Sequence, residues 1–214
     1  MIEIQTYIVG HLRTNCYIIK DKDTGKMAII DPGYRSKLIE EVIENNKENI
    51  EYILLTHGHF DHIFEVKKYS TMSGAKIVMG AKESDFPNDC ELNLSKDFRK
   101  KPEAFSADIL LEDGQTIKLG NTEIKAIHTP GHTRGSMCYI IDNNIFSGDT
   151  LMKGTIGNTG FVTGSMDDMK KSLKKFLDLK EDYFIYSGHG DKTTLNYEKS
   201  NNMYLGSSSY DNLY

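Results

Sequence analysis

Four side chains able to bind a metal fall within six positions of this chain: His57, His59, Asp61 and His62, in the segment THGHFDH. In an extended backbone residues i and i+2 project the same way, so His57 and His59 can face one ion. Asp61 and His62 follow after the chain turns and can face a second. Imidazole and carboxylate together suit zinc, iron or manganese better than calcium or magnesium. The competing account is a solvated polar turn, which has to explain why three of the chain's seven histidines gather here. Three further segments each carry one candidate: His132 in TPGHT, Asp149 in SGDT and His189 in SGHGD. Singly, each is an ordinary turn or cap residue. Together they make four sites just past strand-like stretches, where loops held by a rigid sheet usually carry function.

The elements that must position these residues can be read from hydrophobic period. IEIQTYIV at the start alternates as a strand does, and CYII and MAII follow as short buried runs. Asp31-Pro32-Gly33 breaks the chain, and Ser36 to about Asn46 has helical spacing at Leu38, Ile39, Val42 and Ile43. YILL reads as a buried strand leading into THGHFDH. A helix is expected from Ile63 to about Ser70, with Asp61 or a neighbour at its cap, and then a strand at KIVM. The stretch from about Ala81 to Ala107, with Pro87, Pro102 and many charges, reads as short helices and loop. Strand signals return at ILL, QTIKL and TEIKAIH, the last two joined by a tight Gly120-Asn121 hairpin, and continue at MCYII, NIFS and YFIY. Ser165 and Asp168 have the spacing of a capping box opening a helix to about Leu177, and a last helix is expected over Tyr197 to Leu205.

The length of 214 residues suits one large domain or two small ones, and is enough to bury a core without staples. With 26 basic and 31 acidic residues the formal charge is -5, which argues against a partner made of nucleic acid. Cys16, Cys90 and Cys138 are odd in number and widely spaced, so a disulfide framework is not expected and a reducing compartment fits better. The N-terminal MIEIQTYIVGHLRTN lacks the basic start and apolar run of a secretory signal. No apolar stretch approaches the ~20 residues needed to span a bilayer. These readings give a cytoplasmic protein without a membrane partner.

Taken together, the motifs resemble the metallo-β-lactamase superfamily, with its H-x-H-x-D-H motif and later His, Asp and His. Within it the chain is most similar to the glyoxalase II-like (hydroxyacylglutathione hydrolase-like) thioester hydrolases. The resemblance runs through TNCYII, IIDPG, THGHFDH, TPGHTRGS, FSGDTL, SGHGDKTT and YEKSNN, nearly the whole chain. It implies an α/β (α+β) fold, a four-layer αββα sandwich of two mixed β-sheets flanked by helices, with metals at one edge. A single domain over 1–206 and a polar tail over 207–214 are expected. The resemblance also implies that His57, His59 and His132 hold a first ion, that Asp61, His62 and His189 hold a second, and that Asp149 bridges both. Asp61 and Asp149 would then serve catalysis as well as binding. Asp31 is placed beside the ligands, where its carboxylate could orient a ligand imidazole; a plain turn residue before Pro32 is the competing account. His11 and His128 receive no metal role, and Cys138, inside an apolar strand, reads as a small hydrophobe.

The resemblance departs from glyoxalase II in two places. That family carries a C-terminal helical region that helps bind glutathione, whereas only residues 190–214 follow His189 here. Relatives also carry a basic residue after the bridging aspartate, where GTIGNTGFVTG places Asn158. An amide cannot supply the charge that pairs with a substrate carboxylate. Lys153 and Arg134 are the cations able to compensate, so Asn158, Lys153 and Arg134 are the candidate substrate contacts.

The implied cofactor is a pair of divalent ions, zinc first, with iron or manganese also suited. Two ions sharing a water lower its pKa from about 16 towards about 7. The resulting bridging hydroxide can attack a small acyl-thiol or ester substrate, and a thioester fits because thiolate leaves readily. The alternatives are a mononuclear iron persulfide dioxygenase, a lactonase and a non-catalytic metal-binding module. A β-lactamase is disfavoured by the lack of a leader, and a nuclease by the lack of an inserted domain and basic surface.

Overall fold

Successive side chains of a strand point to opposite faces. In TNCYIIKD this sends Tyr17 and Ile19 one way and Cys16 and Ile18 the other, and all four are buried. A strand buried on both faces must lie within an inner layer, and the computed structural model, which describes residues 1–205, places it there. The polar tail expected over 207–214 lies outside the described residues.

The first half of the chain forms one mixed six-stranded sheet. It contains β1 (Ile2–Val9), β2 (Thr14–Asp21), β3 (Met27–Ile30), β4 (Ile50–Leu54), β5 (Lys76–Gly80) and β6 (Ile109–Leu111), paired in that order. β1, β2 and β3 run antiparallel, and β3 to β6 run parallel. Helices α1 (Lys37–Asn46), α2 (Phe60–Ile63) and α3 (Val66–Ser73) fall between these strands. The second sheet comprises β7 (Thr116–Leu119), β8 (Thr122–His128), β9 (Met137–Ile141), β10 (Asn144–Gly148), β11 (Phe184–Ser187) and β12 (Thr193–Thr194), with α4 (Met166–Asp178) and α5 (Leu195–Asn201) outside it. Its antiparallel run ends in a parallel β10–β11 pair, which makes it mixed as well.

The two sheets face each other through Tyr17, Ile19, Ile30 and Leu54 on one side and Ile124, Met137, Tyr139 and Phe146 on the other. The opposite face of the first sheet, with Ile18, Ile29, Ile53 and Ile77, packs on Ile39 and Ile43 of α1 and on Val66 and Tyr69 of α3. The opposite face of the second, with Cys138, Ile145 and Ile185, packs on Met169, Leu173 and Phe176 of α4. The result is the four-layer αββα sandwich. Cys16, Cys90 and Cys138 are all free thiols. Among the described residues no helix is long and apolar enough to cross a membrane.

Three expectations change in detail. The helix expected over 63–70 is two pieces, because the Glu65 amide donates to Pro32 O (3.0 Å) instead of continuing the helix. The turn after β3 packs so tightly there that a Cβ on Gly33 would lie 1.4 Å from Asp61 O. The last helix starts at Leu195, where the Thr194 hydroxyl caps Tyr197 N (3.3 Å), and stops at Asn201. The Asn202 side chain turns to Glu198 and to the carbonyls of Met152 and Thr155, while Leu205 packs outside the helix. Ser165 accepts from Asp168 N (3.2 Å) as a cap, but its own amide donates to Gly131 O (2.8 Å) and so anchors the His132 loop to α4.

β2 stitches the sheets together at both ends. Near its start the Asn15 amide donates to Gly188 O (2.7 Å), and the Tyr17 hydroxyl donates to Ser187 O (2.5 Å). At its end Asp21 Oδ2 accepts from Asn121 N, Thr122 N and Thr122 Oγ1 at 2.8, 2.9 and 3.0 Å, clamping the β7–β8 hairpin. Burial alone would raise the Asp21 pKa, but the amides of Thr24, Asp23 and Asn121 outweigh it and hold the carboxyl at about 2, below its ordinary 3.8. The stabilisation this gives is full above about pH 4 and is lost as pH falls through about 2. Asp21→Asn is therefore expected to lower the melting temperature by several degrees at pH 7, with the gap to wild type narrowing as pH falls from about 4 towards 2. A gap that stays constant over that range would place the effect in packing instead of charge.

Candidate metal centre

Every candidate ligand sits just past the end of a strand, at one edge of the sandwich. β4 leads into His57, His59, Asp61 and His62, β8 into His132, β10 into Asp149 and β11 into His189. The structure brings all seven together. One ligand atom each from His57, His59 and His132 lies within 4.8 Å of the others, and the same holds for Asp61, His62 and His189. Asp149 stands between these groups, with Oδ2 at 3.5 Å from His132 Nε2 and 3.6 Å from His189 Nε2, and Oδ1 at 3.7 Å from His62 Nε2. The space is kept by close packing: a Cβ on Gly188 would lie 2.2 Å from Asp149 Oδ1 and 2.7 Å from the His62 ring.

The donor atoms fit divalent ions. His59 Nδ1 and His132 Nε2 converge to 2.9 Å, and His57 Nε2, aimed into the same space, is buried without a hydrogen-bond partner. Asp149 Oδ1 is likewise buried and unpartnered. Buried polar atoms are ordinarily satisfied, so orphaned donors and acceptors facing one another mark a place for a cation. Burial and then the neighbouring imidazoles push the pKa of His57 and His59 well down, which favours the neutral form that ligates metal. Burial opposes charge on His62 too, but the carboxylates of Asp61, Asp31 and Asp149 outweigh it and raise its pKa to about 10.

The outer ring nitrogens of His62, His132 and His189 each have a polar partner, the arrangement that fixes a metal-binding imidazole. His62 Nδ1 lies 2.9 Å from Asp31 Oδ2, and the same carboxylate accepts from Thr56 N (2.8 Å) and Thr56 Oγ1 (2.6 Å). His132 Nδ1 faces Asn158 O at 2.7 Å, and His189 Nδ1 faces Leu12 O at 3.1 Å. Thr14 Oγ1 donates to Asp61 Oδ2 at 3.0 Å. Asn158 thus reaches the centre through its carbonyl, while its side chain accepts from Gly160 N (2.9 Å). The other two substrate candidates are engaged elsewhere. Arg134 pairs with Asp85 (2.5 and 2.6 Å) and donates to Lys82 O, and Lys153 pairs with Asp191 (3.1 Å).

Sequence reasoning missed Glu83, which sits two residues from Asp85 in a polar stretch with no period to mark it. It is buried, and its carboxylate accepts from Gly58 N, from Thr133 Oγ1 and from Gly135 N (3.2 Å). Gly58 lies between His57 and His59, and Thr133 follows His132. One side chain therefore ties together the two loops that carry the first group of imidazoles.

The chain matches the family described as Metallo-beta-lactamase superfamily over residues 9–189. It is 33% identical to the hydroxyacylglutathione hydrolase GloC of Haemophilus influenzae, covering 97% of this chain and 100% of that one. It is 31% identical to the probable polyketide biosynthesis zinc-dependent hydrolase BaeB of Bacillus velezensis, covering 94% of this chain and 88% of the relative. Among solved structures, the BLEG-1 B3 metallo-beta-lactamase superposes with a TM-score of 0.87 at 31% identity, over 95% of this chain and 99% of that one.

Glu83→Gln turns an acceptor into a donor that must face the Gly58 amide, the Thr133 hydroxyl or the Gly135 amide. It is expected to weaken any ion bound among His57, His59 and His132 by roughly 10–100-fold, the usual cost of losing a group that supports a metal site. Any ion bound among Asp61, His62 and His189 should be affected much less. Calorimetric titration of metal into the metal-free protein resolves the two, and equal weakening of both would refute this assignment.

Proposed function

The chain belongs to the metallo-beta-lactamase superfamily, and from that premise we propose that it is a thioester hydrolase working with two divalent ions, zinc in the first place. The family and the donor cluster give the coarser statement directly, a metal-dependent hydrolase acting on small molecules. Bound in this way, such ions supply a Lewis acid for a carbonyl and an activated water at neutral pH.

The observation that carries the reading is the wall of the cleft above the cluster. Beyond the ligands His59, Asp61, His132, Asp149 and His189, the cleft is walled by Leu12, Phe60, Leu94, Phe98 and Phe161. Among the described residues its titratable groups are thus the ligands themselves. A centre built this way favours a leaving group that departs as an anion without receiving a proton. A thiol, with a pKa of about 8.5, meets that condition, and an amine does not.

His57, His59 and His132 would hold one ion and Asp61, His62 and His189 the other, with Asp149 between them. Asp61, fixed by Thr14, would also orient the attacking water. Phe161 sets its ring edge-on to His59 and His132 (5.3 and 5.6 Å) and keeps bulk water off that side. The Haemophilus influenzae relative is named for hydrolysis of this kind, and the Bacillus velezensis relative for zinc dependence. With Arg134 and Lys153 engaged in ion pairs, glutathione is not singled out as the thiol carrier. The likeness to BLEG-1 favours a second reading, a β-lactam substrate.

Metal removal by a chelator, and separately Asp149→Asn, is expected to lower kcat/KM for acyl thioesters by at least about a hundredfold, with zinc restoring the metal-free wild type. Equal turnover with and without metal would sink the proposal. Hydrolysis of a chromogenic cephalosporin in preference to thioesters would move it to the β-lactam reading. One iron per chain with oxygen uptake would move it to persulfide oxidation.

A further inference from the structure

The cleft at the metal centre, about 440 Å³, does not end there. A second cavity of about 290 Å³ opens beside it, and the two share Leu12, Phe60, Asp61 and Phe98. The two lie side by side along these shared residues. The side cavity lies between the loop joining β1 to β2 and the helical turn that carries Asp61. The phenol of Tyr34 stacks on Phe64 (5.6 Å, 28°), and Phe60 packs against Phe98 (4.3 Å). Val9 and Leu12 complete the apolar lining.

This lining is built into the fold. Gly10 has a left-handed backbone (φ 66°), and a Cβ there would meet the Tyr34 ring at 2.9 Å, so the ring packs against bare backbone. Leu12, Tyr34 and Phe98 remain 54%, 38% and 49% exposed around the opening. Apolar side chains gathered at a concave surface are how ligand sites are usually lined. The cations at this cavity also differ from those elsewhere near the centre. Arg134 and Lys153 are in ion pairs, whereas among the described residues Arg99 and Lys100, at the rim, have no hydrogen-bonded or ion-paired partner.

We propose that this side cavity holds the acyl limb of the substrate, and that the limb is apolar along its length and ends in an anion held by Arg99 and Lys100. The inference rests on the thioester reading and specifies its substrate class. A volume near the lower end for ligand pockets, ~300 Å³, suits one limb of a molecule, with the carbonyl at the metals. The acyl side is chosen because thiol carriers are polar, amide-rich chains, whose groups would lose their hydration against these aromatic walls. The carrier stays in the wider, open cleft.

The test pairs turnover with binding. On metal-loaded wild type, kcat/KM is measured for acetyl, butyryl, hexanoyl and adipoyl thioesters of one small thiol, N-acetylcysteamine. Burial of each methylene is worth up to roughly fourfold, so hexanoyl should exceed acetyl by at least about tenfold. Tyr34→Ala, and independently Phe98→Ala from the opposite wall, should bring that ratio down towards one. The double charge reversal Arg99→Glu, Lys100→Glu should lower the adipoyl-to-hexanoyl ratio by about tenfold. A flat length profile, or ratios unmoved in the variants, overturns the proposal. Binding of acetate, hexanoate and adipate to the same proteins by calorimetry needs no turnover. If no thioester is hydrolysed yet adipate outbinds acetate at least tenfold and the variants erase the difference, the thioester reading falls and the cavity assignment stands. If the acids bind without length preference, the cavity assignment falls even where thioesters are hydrolysed.

Discussion

A single buried carboxylate, that of Asp31, sits where three parts of the molecule meet. It ends β3, it takes both the amide and the hydroxyl of Thr56, and it faces the outer nitrogen of His62. Asp31 itself has a left-handed backbone (φ 51°), a conformation that aspartate tolerates better than most residues. Thr56 in turn accepts from Met137 N of the second sheet at 2.7 Å. The strand end, the histidine loop and the joint between sheets are therefore settled by one hydrogen-bonded unit. Replacing either partner would leave the other buried and unmatched, which costs more than the bond itself contributes.

Around that unit the molecule sets solvation to suit cations. The imidazoles are packed under aromatic rings and against one another, so protonation of His57 and His59 is disfavoured. The carboxylates of Asp61 and Asp149 are brought within about 4 Å of imidazole nitrogens, where opposite charge is called for. Few polar groups are left over for other work in the cleft. This is the physical reason for connecting the site with an activated water and a self-sufficient leaving group, and not with a protein nucleophile.

Much of this was legible in the chain. THGHFDH, TPGHT, SGDT and SGHGD stand out because their residue types are rare and each follows a run of strand-like apolar residues. That β2, β3, β4 and β5 are interior strands follows from their continuous apolar runs. What could not be read depends on contacts between distant segments. Glu83 has no neighbouring pattern, and its meaning arises only when the loops at Gly58 and Thr133 close on it. Asn158 could be read for its side chain but not for its carbonyl, since any residue there offers one. The break between α2 and α3 is decided by Pro32, about thirty positions earlier. The aromatic cavity draws Val9, Tyr34, Phe60 and Phe98 from four separate stretches, and no spacing within any one of them announces it.

The candidate ligands are divided between the two sheets. The first contributes His57, His59, Asp61 and His62, and the second His132, Asp149 and His189. Neither half of the chain therefore carries the whole candidate set, and the cluster exists only as a property of their alignment. One residue of slippage in a strand moves its end by about 3.3 Å, while metal–ligand distances tolerate about 0.2 Å. The hydrogen bonds from β2 and Thr56 across the sandwich thus act as gauges as much as fasteners. A bound ion would report, through its own affinity, how faithfully the two sheets share a common frame.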